Sequence, residues 1–284
     1  MSLVSLNDIL GKAEKEGYAV GAFNCNNMEI VQAIARAAEE ERAPVIIQAS
    51  QGAIRYAGLQ YIVALVKQAA AEVSVPVVLH LDHGTSFEQA IQCIRYGFSS
   101  IMIDGSQYPL EENIELTAKV VEVAHAAGVS VEGELGRIGG TEDDISVSDA
   151  EAFFTDPAEA NYFVKQTGVD ALAISIGTAH GRYKGVPRLD FPRLKQIKEA
   201  IPCPIVLHGS SGVADGDIKK AVKLGVSKFN IDTNIREAFT GAIYDYLAAQ
   251  PHEIDPRSVL KPARDAATAI IRGKIRLFGS SNRA

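Results

Sequence analysis

Leu79-His80-Leu81-Asp82-His83-Gly84 is the stretch on which the reading of this chain turns. An apolar run over 75–79 leads straight into two histidines and an aspartate, and a glycine then opens a helix-like segment. That is the pattern of a buried strand ending in reactive groups. Two later stretches repeat it: Ile174-Ser175-Ile176-Gly177-Thr178-Ala179-His180-Gly181 and Pro204-Ile205-Val206-Leu207-His208-Gly209-Ser210-Ser211-Gly212. Three imidazoles at three strand ends, each followed at once by glycine, point to a metal site on one rim of a parallel barrel.

The rest of the chain supports that architecture. Helical spacing over 8–16, with Asn7 as cap candidate, precedes a strand over 18–23. Helical patterns over 27–41, 59–73, 86–95, 110–127, 157–166, 191–200, 215–224 and 233–249 then alternate with apolar runs over 45–49, 76–81, 99–103, 129–134, 171–176, 204–207 and 228–231. Eight strand–helix pairs with no antiparallel hairpin signal demand right-handed crossovers and a parallel sheet, and eight such units close into a (β/α)8 TIM barrel. An open doubly wound sheet is the alternative, but no glycine-rich dinucleotide fingerprint follows the first strand. We read an α/β chain, one domain over 1–284, with additional terminal helices. The last of these follows Asp255-Pro256-Arg257 and suits an oligomer contact.

Composition narrows the function. A hydrophobic fraction of 47% and a charged fraction of 22% describe an ordinary globular chain with ample core. The net charge of -7 argues against broad attraction to nucleic acid or anionic membrane. There is no secretory signal pattern at the N-terminus and no apolar run long enough to span a bilayer, so a cytoplasmic location is expected. Cys25, Cys93 and Cys203 are too widely spaced for a metal knuckle and too few for a disulfide framework; they read as small packing residues.

A lone histidine at a strand end is more often a satisfied structural group than a ligand, but His83, His180 and His208 reach one rim together. His125 and His252 read as surface residues. The odd separation of His80 and His83 points them to opposite faces of an extended strand unless the turn at Asp82 intervenes. His83, nearer the rim, is the ligand candidate and His80 a supporting residue. Asp82 suits either a partner of the metal ligands or an acid/base group. Gly209-Ser210-Ser211-Gly212 and Asn230-Ile231-Asp232-Thr233 follow the last two barrel strands, where backbone N–H groups often cradle phosphate, although glycine and serine are also ordinary turn formers. Loops over 136–154 and 177–190 are long enough to serve as lids.

In order along the chain, HLDHG, MIDGS, VEGELGRIGGTEDD, GTAHG, LHGSSG, NIDT and DPR resemble the class II, metal-dependent ketose-bisphosphate aldolases, which cleave fructose 1,6-bisphosphate or tagatose 1,6-bisphosphate. The resemblance spans essentially the whole chain. It implies Zn2+ held by His83, His180 and His208, with Asp104 and Glu134 at a neighbouring or alternative divalent position, and a monovalent cation near the triose-phosphate loops. It further implies Asp82 as the group that exchanges a proton with the aldehyde-derived oxygen and Glu142 as the base at the triose carbon. Gly181, Gly209, Ser211, Asp232 and Thr233 would surround the triose phosphate, Lys184, Ser210 and Ile231 would also bind substrate, and Asn230 would touch the triose hydroxyl or enediolate. Ser50 would hold the aldehyde half. Arg257 would reach the far phosphate from a neighbouring subunit of a homodimer or homotetramer. Asp232 favours the fructose isomer, because tagatose enzymes tend toward alanine there. The implied reaction is reversible cleavage to dihydroxyacetone phosphate and glyceraldehyde 3-phosphate in glycolysis and gluconeogenesis. Rival readings are a metal-dependent phosphoester hydrolase on the same barrel and a non-enzymatic sugar-phosphate binding protein.

Overall fold

Alternation along the strands decides where each side chain goes. The computed structural model describes residues 3–142, 145–148, 153–183 and 185–284. Its strands are β1 (Val20–Asn24), β2 (Val45–Ser50), β3 (Val77–Gly84), β4 (Ser100–Ile103), β5 (Ser130–Leu135), β6 (Gly139–Glu142), β7 (Ile145–Val147), β8 (Ala171–Ile174), β9 (Ala179–His180), β10 (Ile205–Leu207) and β11 (Val226–Ile231). Eight of them close a barrel in the order β1-β11-β10-β8-β5-β4-β3-β2. Every pairing in that barrel is parallel. This is the expected (β/α)8 architecture.

The helices are α1 (Leu6–Glu16), α2 (Met28–Glu41), α3 (Gln51–Ala57), α4 (Leu59–Glu72), α5 (Phe87–Tyr96), α6 (Leu110–Ala126), α7 (Pro157–Thr167), α8 (Phe191–Ala200), α9 (Asp215–Lys223), α10 (Thr233–Ala249) and α11 (Pro256–Phe278). Among the described residues none is long and apolar enough to cross a membrane. α1 starts earlier than its spacing suggests. Ser5, not Asn7, caps it, in a reciprocal capping box with Asp8. Asn7 instead donates to Asp170 at 2.6 Å, tying the helix to the segment before β8.

Two cores result. Alternate strand residues such as Phe23, Ile47, Leu79, Leu81, Ile101 and Leu172 face outward and pack under the helices. The others, Val20, Ala22, Ile46, Val78, Met102, Ala171, Ala173 and Val206, fill the barrel's lower interior. Leu6, Ile9, Leu10 and Ala13 of α1 join this inner cluster and plug its floor. Each fully buried leucine or isoleucine of such a plug contributes about 1.5–3 kcal/mol. Above the apolar layer the inward positions turn polar: Asn24, Gln48, His80, Asp82, Glu132, Glu134, His208, Lys228 and Asn230 are all buried. The floor is therefore a support and the rim a reactive surface.

Two features depart from the expected pattern. The loop after β5 contains an antiparallel hairpin, β6 with β7, and β6 also pairs in parallel with β9. Sequence pattern misses it because the strands are only four and three residues long and β6 opens with two glycines. The last helix, α11, placed by the sequence pattern at an oligomer contact, lays Ala263, Ala267, Ile271, Ile275 and Phe278 into the core of its own chain.

The C-terminal end is pinned by a nearly buried carboxylate. Glu41 of α2 receives Arg272 Nε at 3.1 Å, Arg276 Nη2 at 2.7 Å and Ser281 Oγ at 2.9 Å. The Arg276 hydrogen bond, opposed by burial but reinforced by Arg272 and Ser281, holds its pKa down at about 2. A depressed carboxylate pKa gives stability that is complete above the ordinary value and is lost as pH falls toward the folded one. Glu41→Gln should therefore lower Tm at pH 7 by about 3 °C. Thermal melts of both proteins should converge as the pH is lowered from 4.5 toward 2.

Candidate active site and metal centre

His83 reaches the site through a break in the strand rule. His80 and Asp82 point into the barrel with Val78, so strict alternation would turn His83 outward. Its φ of 49° lies in the left-handed region, and the register of β3 against β4 shifts between Leu81 and Gly84. This bulge swings the imidazole back over the rim, at a backbone cost of about 1–2 kcal/mol. The His83 ring centroid lies 4.6 Å from His208 and 5.1 Å from His180, with His180 and His208 5.9 Å apart. The three rings stand nearly perpendicular, and their donor atoms lie within 4.8 Å of one another.

Each imidazole is held from behind. His83 Nδ1 donates to Asp104 Oδ2 at 2.9 Å, and His208 Nε2 donates to Glu132 Oε1 at 2.8 Å. A carboxylate only accepts, so these bonds fix both tautomers and leave lone pairs on His83 Nε2 and His208 Nδ1. Those two atoms face each other at 2.9 Å. Two lone pairs at that distance require a proton or a cation between them. Burial alone would lower the His83 pKa, but the Asp104 hydrogen bond and the charges of Asp82 and Glu134 outweigh it and raise the pKa well above normal. The same field that favours a proton there favours a divalent cation. Nearby, Glu134 Oε2 is buried without a hydrogen-bond partner, 3.9 Å from His83 Nδ1. Burial, then the charge of Asp104, pushes the Glu134 pKa well up. Hence His83, Asp104 and Glu134 form a second cluster able to hold a metal. Both donor sets suit a divalent ion.

His180 depends on the hairpin. Gly140 in β6 pairs with His180 in β9 at a φ of 101°, and an added Cβ would lie 2.3 Å from the His180 carbonyl oxygen. The next loop is tied to it by Tyr183, whose hydroxyl accepts from Ala179 N–H at 2.8 Å and donates to the Gly209 carbonyl at 2.9 Å. Burial raises that phenol's pKa to about 12, with the Ala179 bond partly opposing.

Asp82 is fully buried beside the imidazoles and surrounded by amides. Its Oδ2 accepts from Asn24 at 2.7 Å and Gln48 at 3.1 Å, and its Oδ1 from Asn230 at 3.1 Å. Gln48 also donates to Asn24 Oδ1 at 2.6 Å. Asn24 and Gln48 were not among the expected site residues. Their signal is a polar residue at an inward position of a fully buried strand, the same signal that Glu132 and Lys228 carry.

A cavity of about 340 Å3 opens beside the imidazoles, and His180, Gly181, Gly209, Ser211, Asn230, Asp232 and Thr233 line it. Gly209 has a φ of 63°, and an added Cβ there would lie 2.4 Å from the Ala179 carbonyl oxygen, so the two loops meet backbone to backbone. The N-terminus of α10 starts at Thr233 on the same wall, giving backbone donors and a favourable dipole for an anion. Asp232 is gripped by Arg236 through Nε at 2.8 Å and Nη2 at 2.6 Å.

Other expected residues sit differently. Ser210 is buried with its hydroxyl donating to the Leu207 carbonyl at 3.2 Å, and the Ile231 side chain lies in the outer core. Ser50 pairs with Asp82 across β2 and β3 and caps α3 by accepting from Ala53 N–H. Arg257 is exposed at the start of α11, forked onto Asp255, and does not line this cavity. Glu142 closes β6, and Lys184 lies outside the described residues. The three cysteines are buried and free; desolvation raises each thiol to about 12, as suits packing residues.

Over residues 4–283 the chain matches the family model described as fructose-bisphosphate aldolase class-II. The chain belongs to this family. A probable fructose-bisphosphate aldolase of Bacillus subtilis is 49% identical, with all of both chains covered. The fructose-bisphosphate aldolase of Thermus caldophilus is 46% identical over 99% of this chain and 100% of its own. Among solved structures, the YdjI aldolase of Escherichia coli K12 superposes with a TM-score of 0.88 at 33% identity, covering 99% of each chain. Gly140→Ala should displace His180 and lower the divalent metal retained per chain by at least half, by elemental analysis after dialysis, while the far-UV circular dichroism stays unchanged.

Proposed function

We propose that this class-II aldolase cleaves fructose 1,6-bisphosphate reversibly to dihydroxyacetone phosphate and glyceraldehyde 3-phosphate, using zinc, as a cytoplasmic enzyme of glycolysis and gluconeogenesis. The observation that carries the reading is the convergence of three imidazoles, donor atoms within 4.8 Å, beside a buried carboxylate and a loop-lined cavity. His83, His180 and His208 would hold the ion, with Asp104 and Glu134 offering a second divalent position and the triose-phosphate loops a monovalent one. A divalent ion held there would supply Lewis-acid polarisation of the ketone, enough to make the neighbouring C–H acidic toward a carboxylate base.

In cleavage, Asp82 takes the proton of the C4 hydroxyl as that carbon becomes the aldehyde. The electron pair of the C3–C4 bond returns to C3, where Glu142 delivers a proton to complete dihydroxyacetone phosphate. Condensation reverses both transfers. Gly181, Gly209, Ser211, Asp232 and Thr233 surround the triose phosphate. Asn230 orients the triose hydroxyl and Ser50 the aldehyde half. Asp232 and the relatives named as fructose-bisphosphate aldolases both favour fructose over tagatose bisphosphate.

Metal-saturated protein in a coupled triose-phosphate assay should show a kcat/KM for fructose 1,6-bisphosphate at least tenfold above that for tagatose 1,6-bisphosphate, an energy difference of about 1.4 kcal/mol. A chelator should abolish turnover, and borohydride with substrate should trap no covalent adduct. Release of inorganic phosphate without triose phosphates would indicate a hydrolase, and binding without turnover a sugar-phosphate binding protein.

Arg257 supplies the far-phosphate contact across a subunit boundary, so the working form is a homodimer or homotetramer. Mixing inactive Asp82→Ala and Arg257→Ala chains, after verified dissociation and reassociation, should restore activity to about a quarter of wild type for random dimers. No recovery in confirmed mixed oligomers would put Arg257 in its own site or outside it.

A further inference from the structure

Beneath the three imidazoles the barrel encloses a lysine. Lys228 lies in β11 with none of its surface exposed. Confining an ammonium there costs several kcal/mol unless its hydrogens are well placed. Its Nζ is 2.8 Å from Glu132 Oε2 and 2.7 Å from Asn230 Oδ1. Lys228 and Asn230 stand two apart on one strand and therefore share the inner face.

Each contact settles the orientation of another group. An ammonium only donates, so the atom that Asn230 presents to it must be the amide oxygen. The Asn230 Nδ2 then faces the other way, where it donates to Asp82 Oδ1 at 3.1 Å and lies 3.2 Å from the His208 ring nitrogens. A flipped amide would set an oxygen against the Asp82 carboxylate. On the other side, Glu132 is anchored through Oε2 and offers Oε1 to His208 Nε2–H at 2.8 Å. His80 Nε2 lies 3.7 Å from Glu132 Oε2, too far for a hydrogen bond, and His80 Nδ1 is 2.8 Å from Ser100 Oγ.

We propose that Lys228 is a positioning residue: through Asn230 it fixes the donor aimed at Asp82, and through Glu132 it fixes the tautomer of His208. A single buried ammonium thus orients both the proton-transfer side and the metal-binding side of the site. The inference rests on the aldolase reading for the role of Asp82, but its metal arm is measurable without any sugar.

The test uses the full-length protein with Lys228→Met, Asn230→Ala and the pair combined. Lys228→Met should lower kcat for fructose 1,6-bisphosphate at least tenfold while KM changes less than about threefold. Because Lys228 acts through Asn230, adding Lys228→Met to Asn230→Ala should cost much less than it does in wild type. Fully additive losses would overturn the Asn230 arm. Zinc affinity, measured by competition with a chromogenic chelator, should fall about tenfold in Lys228→Met. An affinity equal to wild type would overturn the Glu132 arm. If Lys228→Met gives no cooperative melt, the charge-balanced Lys228→Met/Glu132→Gln chain is compared with Glu132→Gln alone. A further tenfold loss of kcat supports the proposal, and equal kcat overturns it. Failure of metal-loaded wild type to cleave the sugar would refute the aldolase reading, while zinc affinity would still report on Lys228.

Discussion

The period-two alternation of a parallel barrel is the constraint on which the rest of this molecule depends. It sends half of each strand under the helices and half into an enclosed column. The column has room for few side chains, and its chemistry changes with height. Valine, alanine and isoleucine fill the lower levels over the α1 plug, and carboxylates, amides and imidazoles occupy the levels above. Because the polar levels are sealed below and walled on all sides, most of their groups take partners from the same column, while Glu134 Oε2 is left without a hydrogen bond. Asn24, Gln48 and Asn230 accordingly hold Asp82, and Asp104 and Glu132 hold two of the imidazoles.

Much of this was legible in the residues. Strict strand–helix alternation carried the barrel, and three strand-end histidines followed by glycine carried the metal cluster. The position of His83 was harder to read, because inward orientation contradicts its parity in β3. Only the left-handed backbone and the register shift resolve that conflict, and neither has a distinct signature in a non-glycine residue. The cap of α1 is ambiguous in the sequence because Asn7 and Ser5 are both good caps. The deciding factor is the partner three residues on, since Asp8 completes a box with Ser5.

The supporting residues were hidden for another reason. Asn24, Gln48, Glu132 and Lys228 lie within runs that read as plain buried strand, and their value comes from which neighbour the barrel's register brings alongside. Ser50 meets Asp82 and Gln48 meets His80 only once β2 and β3 are paired. The hairpin escaped notice because glycine in β6 serves close backbone approach rather than side-chain packing.

That close approach has a mechanical meaning. β6 carries Glu142 at its end, and its Gly140 is hydrogen-bonded alongside His180 in one small sheet. The strand that ends in Glu142 and the strand that carries His180 are thus laid edge to edge as one ribbon. Any displacement of one edge is a displacement of the other, so the position of this imidazole is tied to that of the hairpin through two peptide planes, with no side chain needed between them.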